Sequence, residues 1–301
     1  MEIHILRDWR YSMNLKFKTI SSVILSPRGE NALYMGIDFA RIEKNGNIGI
    51  ESSGDKFKMI YPFYSYEDRN FNSNYSFEFS EKYYIPASSL KGALLSNQSV
   101  NLHLEGIDGN IRRKILVKDI ELKKTQIELN NIFKFQYLYQ EKQEQQEIKE
   151  SEYKYKIPKL EEFFPALALE MLKSEESFEA NILLKISEDE FRDILKETFD
   201  TTKQKLERYM KEIGSRIAEL KSWQKNRKVQ DQNTLDEPIE QLQKIKEAIK
   251  RQVSSGKNMI FLGGYKGILG SILVKSDVEI RNGFYIDVKT NLPYGLVEIC
   301  Q

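Results

Sequence analysis

The sequence predicts an α+β protein that carries a long helical hairpin late in the chain. Three observations lead there. Short runs rich in β-branched and aromatic residues recur before Gln140, separated by polar turns. One strand-turn-helix unit lies at Tyr83–Leu95, and two amphipathic stretches fill Ser187 to Val253. At 301 residues the chain could form one large domain or two small ones. We read residues 1–301 as one domain, with 187–256 as an insertion within it.

Composition narrows the classes. A formal net charge of +1 argues against a broad, non-specific nucleic-acid binder, so any basic groups that meet RNA have to be gathered on one face. The single cysteine, Cys300, leaves no disulfide framework within the chain and no cysteine-based zinc cluster. With only His4 and His103, a His-rich metal site and a two-histidine ribonuclease mechanism are both unsupported. No cofactor or metal is expected. No apolar run reaches the length of a membrane span, and the N-terminus lacks the apolar segment of a signal peptide. The expectation is a soluble, cytoplasmic protein with no membrane partner.

Taken in order, Leu15–Leu25 begins with period-2 alternation and reads as a strand, followed by a turn at Ser26–Asn31. Ala32–Ile42 is a second expected strand, and Asn45–Lys56 a polar loop. Lys58–Tyr66 and Tyr75–Phe79 are aromatic strands whose Tyr61, Phe63, Tyr64, Tyr75, Phe77 and Phe79 are expected mostly in the core. Exposed aromatics beside a basic groove could also stack on bases. Beyond the central helix, Val100–Leu104, Ile111–Leu122 and Asn131–Tyr139 are strand-like. Gln140–Glu152 is a polar loop tip or disordered insertion. Ser177–Ile186 is a buried strand.

From Ser187 the period changes. Ser187 with Glu190 forms a capping box, and apolar residues then recur at three-four spacing from Phe191 to Trp223. After a polar break at Asn226–Leu235, Asp236-Glu237-Pro238 starts a second helix with its stripe at Ile239, Leu242, Ile245, Ile249 and Val253. Two such helices are expected to form an antiparallel hairpin. Lys203, Lys205, Arg208, Lys211, Arg216, Lys221, Lys225, Arg227 and Lys228 give it a basic bias, read as a solvated face.

Two stretches carry chemistry. In Tyr83–Leu95, Pro86 turns the chain and Ser88 or Ser89 is expected to cap a helix whose apolar side holds Leu90, Ala93 and Leu94. Backbone N–H groups, two hydroxyls and the Lys91 ammonium could there face one phosphate. In Ile260–Ser271, a strand enters the glycine-rich loop Gly263-Gly264-Tyr265-Lys266-Gly267, where missing Cβ atoms let the backbone approach an anion or, equally, form a tight hairpin. It is no nucleotide P-loop, since no Gly-Lys-Ser/Thr closes it.

Ile85–Leu94 resembles the I-P-G-S-S-L-K-G signature of the RAMP superfamily of CRISPR effector subunits, with Ala87 in place of glycine and Leu95 where arginine is frequent. Gly36-Ile37-Asp38 resembles the G-x-I-D segment that precedes that signature in target-cleaving backbone subunits. Gly263–Gly267 resembles the family's C-terminal glycine-rich loop. Thr290–Ile299 is similar to the ending of the type III-A subunit that caps the 3′ side of the guide, with Tyr294 and Leu296 departing from it.

The resemblance implies an RNA-recognition-like, ferredoxin-like fold enlarged by the hairpin. It also implies binding of CRISPR guide RNA within a complex of other effector subunits, in antiviral defence. The implied RNA-binding residues are Arg28, Ser88, Ser89, Lys91, Gly92, Gly263, Gly264, Tyr265, Lys266 and Gly267. Two alternatives are a backbone subunit that cuts target RNA through Asp38 and a non-enzymatic coiled-coil adaptor.

Overall fold

β1 (Tyr11–Thr19) alternates outward polar and inward apolar residues, with Met13, Leu15 and Phe17 buried. The computed structural model describes residues 9, 11–43, 56–67, 75–96, 111–136, 140–141, 154–155, 158–225, 235–275, 278, 280 and 282–300. It is an α+β structure built from several largely antiparallel sheets and four helices among those residues.

The strands that follow β1 are β2 (Leu33–Tyr34), β3 (Met59–Tyr61), β4 (Lys82–Ile85), β5 (Ile115–Val117), β6 (Ile120–Lys123), β7 (Ile127–Asn130) and β8 (Phe133–Phe135). A ribbon, β9 (Gln140–Glu141) with β10 (Lys154–Tyr155), precedes β11 (Leu160–Glu162), β12 (Leu167–Leu172) and β13 (Ser177–Leu184). The last are β14 (Met259–Phe261), β15 (Phe284–Asp287), β16 (Leu292–Pro293) and β17 (Leu296–Cys300). The helices are α1 (Ala87–Leu94), α2 (Glu188–Lys225), α3 (Asp236–Ser254) and the single turn α4 (Gly267–Ser271).

The main sheet has the order β14-β17-β1-β13-β5, antiparallel throughout. Phe17 and Phe178 sit opposite each other in the β1–β13 ladder and stack at 4.9 Å between centroids, fixing its register on the buried face. The outer face of the same ladder is polar, with Lys16 paired to Glu179 and Asn14 donating to Glu179. β1 and β14 flank β17, each antiparallel to it, so they run the same way and end at the same edge. The cleft described below lies at that edge.

The hairpin is inserted between β13 and β14. Glu190 N–H donates to the Ser187 hydroxyl, 3.1 Å, as the capping pattern requires. Gln224 donates to Asp236 at 2.7 Å near the hairpin tip, and Gly214 faces Lys246 further along, so the helices run antiparallel. Leu206, Tyr209, Ile213 and Leu220 of α2 share one core cluster with Leu242, Ile245 and Ile249 of α3. Among the described residues no helix is long and apolar enough to cross a membrane.

Several expected elements are corrected. The first strand ends at Thr19 rather than Leu25, because the N–H groups of Ile20 and Ser21 both turn to the Leu296 carbonyl, and Ser22 N–H goes to the Asp287 carboxylate. Only Leu33–Tyr34 of Ala32–Ile42 is strand: Gly36 at φ +86° and Asp38 fold the rest into a turn. Lys58–Tyr66 contributes only β3, which stops before Pro62, and Ser76 makes an isolated bridge in place of a strand over Tyr75–Phe79. Lys118-Asp119 divides Ile111–Leu122 into two strands in different sheets. Asn131–Tyr139 contributes β8, and Gln140–Glu141 pairs in a ribbon. The expected strand Val100–Leu104 and most of the polar stretches Asn45–Lys56, Gln140–Glu152 and Asn226–Leu235 lie outside the described residues.

Candidate functional site

The cleft is built from the backbone outward. Where β1 ends, the chain runs through Ser22–Ser26 beside the start of β17. Gly295 N–H donates to the Ser22 carbonyl at 2.9 Å, Leu262 N–H to the Gly295 carbonyl at 2.7 Å, and Gly264 N–H to the Ile24 carbonyl at 2.8 Å. Three segments distant in sequence are thereby stitched together. Gly263 has φ +89°, and a Cβ there would lie 2.5 Å from the Ile24 carbonyl oxygen, so this close approach needs glycine. Tyr265 follows at φ +51°, a conformation that costs a non-glycine residue about 1 kcal/mol.

α1 supplies the opposite wall. Leu90, Ala93 and Leu94 bury its apolar side in the main core, leaving Ser88, Ser89 and Gly92 on the cleft. Neither serine caps the helix, in contrast to the expectation. The helix begins at Ala87, and its N–H donates to Asp119 Oδ1 at 2.7 Å. Asp119 lies between β5 and β6 and also accepts from the Tyr66 hydroxyl at 2.9 Å. Asp119→Ala is expected to cost about 1 kcal/mol of stability, the typical value of a lost cap, and to loosen α1 without removing a cleft residue. A urea melt checks the first effect, and hydrogen exchange at Ser88–Leu90 checks the second.

The cleft encloses about 440 Å³ between α1, the segment Ile24–Ser26, the loop Gly263–Lys266 and α2. Its cations come from three directions: Lys266 from the glycine loop, Arg112 from the 3-10 turn Ile111–Lys114, and Lys205 from α2. Lys205 is only 4% exposed. Its ammonium donates to the Ser271 carbonyl at 3.3 Å. Burial pushes the Lys205 ammonium below the ordinary lysine range. Burial and then the charge of Lys205 bring the Lys266 ammonium down to about 8. Tyr64 also faces the cleft, and its ring lies 5.7 Å from that of Tyr84, which stacks on the exposed Tyr66 at 4.0 Å. The result is a concave, carboxylate-poor wall of hydroxyls, glycines and cations, chemistry that suits a phosphate-bearing ligand.

Of the residues singled out in the sequence, Ser88, Ser89, Gly92, Gly263, Gly264, Tyr265 and Lys266 line this one cleft. Gly267 stands behind it, starting α4 at φ +66°. Lys91 turns away, donating to the Ile115 carbonyl on β5, with burial and then Arg112 lowering its affinity for a proton. We therefore assign Lys91 to holding α1 on the sheet. Arg28 opens a 3-10 turn, and its side chain lies outside the described residues. Leu95, where the family's arginine is frequent, is fully buried in the main core. Asp38 does not line the cleft: its carboxylate accepts from Tyr34 N–H at 2.7 Å and its own N–H donates to the Tyr34 carbonyl.

Sequence reasoning missed Lys205, Arg112 and Tyr64. Lys205 was expected on a solvated face, and Arg216, equally buried, was too. The signal lay in the register, because Thr198, Thr202, Lys205 and Tyr209 follow the spacing of the buried stripe. Arg216 instead lies over the Phe284 ring at 3.9 Å and donates to the Ile280 and Asn282 carbonyls. Of the six strand aromatics, Phe63, Phe77 and Phe79 are core, whereas Tyr75 is exposed.

Fold and site together describe an α+β protein with a concave, half-open cleft lined by cations, hydroxyls and glycines. No family model matches the chain, and no curated protein is detectably similar to it.

Proposed function

We propose that the chain is a guide-RNA-binding subunit of a type III CRISPR ribonucleoprotein effector, holding the RNA backbone near the 3′ end of the guide. One observation carries the reading. The I-P-A-S-S-L-K-G helix start and the C-terminal glycine-rich loop, separated by more than half the sequence, face each other across a single basic cleft. In this reading the main sheet is an RNA-recognition-like, ferredoxin-like sheet with α1 as one of its covering helices. The mechanism is binding, with no reaction assigned. Ser88, Ser89 and the Gly263–Lys266 loop grip phosphates together with Lys266. Tyr64, which lines the cleft, offers a ring on which bases stack whatever their identity. Guide sequences differ, so a grip on phosphate and ring faces is what such a subunit needs.

Fluorescence anisotropy with labelled single-stranded RNAs of unrelated sequence tests this. Affinities are expected to agree within about threefold and to fall steeply with salt, as phosphate contacts require. Binding confined to one sequence, or no binding, would contradict it.

The cutting alternative gains nothing from the structure, because the Asp38 carboxylate is engaged in its own turn. Asp38→Ala is expected to remove about 1 kcal/mol of stability through the lost turn hydrogen bond and to leave RNA binding unchanged. Any cleavage of target RNA by the assembled complex should also persist. Loss of regularly spaced cuts in the variant complex would restore Asp38 as a catalytic residue.

A further inference from the structure

We infer that Lys205 and Lys266 form a two-ammonium pocket for one phosphate group, bringing the helical hairpin into the binding site. Lys205 reaches the pocket by a defined route. Thr198 of α2 donates its hydroxyl to the Leu94 carbonyl at the end of α1, 2.9 Å. Seven residues, or about two turns, further along α2 comes Lys205. Tyr209, one turn on, donates its hydroxyl to the Lys266 carbonyl. Thus α2 is fastened on one side of Lys205 to α1 and on the other to the glycine loop, which fixes the ammonium between the two walls.

The energetics of this arrangement point to an occupant. Burying an ammonium without an opposing charge is unfavourable, and proteins normally pair such groups. Here a side chain 96% removed from solvent ends in a cleft with a second, partly buried lysine, and among the described residues neither is paired with a carboxylate. Burial first, and then the neighbouring charge of Lys205, lowers the affinity of Lys266 for its proton. An anion between them reverses both penalties. The Ser271 carbonyl, the one acceptor that Lys205 reaches among the described residues, lies 3.3 Å away and leaves other N–H donors for a ligand. Phosphate fits, since its oxygens accept from both lysines and from the hydroxyls of Ser88 and Ser89 across the cleft. The phosphate can belong to an RNA backbone, in keeping with the function proposed above, or to free inorganic phosphate.

Full-length protein distinguishes these sources. Lys205→Met keeps the length and apolar stem of the side chain but removes its charge. It is expected to raise the melting temperature of ligand-free protein while weakening RNA binding about tenfold and lowering the salt slope by about one. Melts in sodium phosphate against sodium chloride of equal ionic strength provide the second arm, with phosphate-specific stabilisation expected in the wild type and absent from the variant. RNA binding of the wild type with unchanged affinity and salt slope in the variant would overturn the pocket and leave the RNA reading standing. A wild type blind to RNA, whose stabilisation by phosphate is abolished in the variant, would keep the pocket and overturn the RNA reading. No response to either ligand overturns both. Lys205→Arg, which retains the charge, is expected to bind RNA within about threefold of wild type. Lys266→Met, at the more open position, makes the same test should Lys205→Met fail to fold.

Discussion

Lys266→Glu is expected to lower RNA affinity about 100-fold, roughly 3 kcal/mol, while leaving the fold intact. The wild-type side chain lies beside Lys205 with no carboxylate partner among the described residues, so its charge is available to a ligand. Reversal does more than delete one contact. A carboxylate at 266 would pair with the Lys205 ammonium, occupy the anion's place and repel the next phosphate. Stability is expected to rise slightly, because mutual repulsion becomes attraction.

The same group sets a pH dependence. Lys266 protonates near 8 in the folded protein, against about 10.4 in an unfolded chain. RNA requires the protonated form. With that form restored in the complex, affinity is expected to fall about tenfold between pH 7 and pH 9. Ligand-free stability moves the other way. Between about pH 8 and 10.5 the unfolded chain binds more protons at this position than the folded one, so its contribution to stability rises with pH. Anisotropy titrations and chemical melts at pH 7, 8 and 9 measure both slopes. In Lys266→Met the fall in affinity over this range should be largely gone.

Gly295→Ala is expected to be the most damaging single methyl in the described chain, on the order of 3 kcal/mol or more. Gly295 has φ +85°, and a Cβ would lie 2.2 Å from the Leu262 carbonyl oxygen. That carbonyl belongs to the backbone leading into the glycine loop, so no flexible side-chain end can move aside. The peptide also makes two of the bonds that stitch the cleft: Gly295 N–H to Ser22 and Leu262 N–H to the Gly295 carbonyl. Loss of stability should therefore be accompanied by loss of RNA affinity in whatever folded protein remains. Gly92→Ala is the contrast. A Cβ there meets nothing within 4 Å, so stability should change little, even though Gly92 faces the same cleft. Urea denaturation of the two variants checks the difference.

What could be read in advance followed from local periodicity. The hairpin was legible because Phe191–Trp223 keeps a three-four stripe over many turns, and its Ser187 cap is local. β12 was not. Leu167–Leu172 is made of Leu, Ala, Glu and Met, good helix formers, yet it is a strand, paired along its two edges with β3 and β7 and buried on both faces. Its Glu170 is accommodated there with the Phe63 N–H and the Tyr83 hydroxyl donating to it, at 2.8 and 2.7 Å, from segments far away in the chain.

The site divides in the same way. Glycines and serines marked two walls of the cleft, since turn geometry and helix starts leave local traces. The cap on α1 comes from Asp119, well downstream of Ser88 and Ser89. The burial of Lys205 depends on α4 packing beside α2, which no window on α2 contains. Lys91 had the right neighbours in sequence, but the nearness of β5 gave it another partner.

The measurement that bears most directly on the central claim is to purify the tagged protein gently from its native host and sequence the RNA it carries. The account predicts short RNAs that share one repeat-derived 5′ tag followed by varied spacers, recovered with other effector subunits and depleted in Lys266→Glu. Absence of RNA, or random cellular RNA retained equally by the variant, would contradict it and favour an adaptor built on the α2–α3 hairpin.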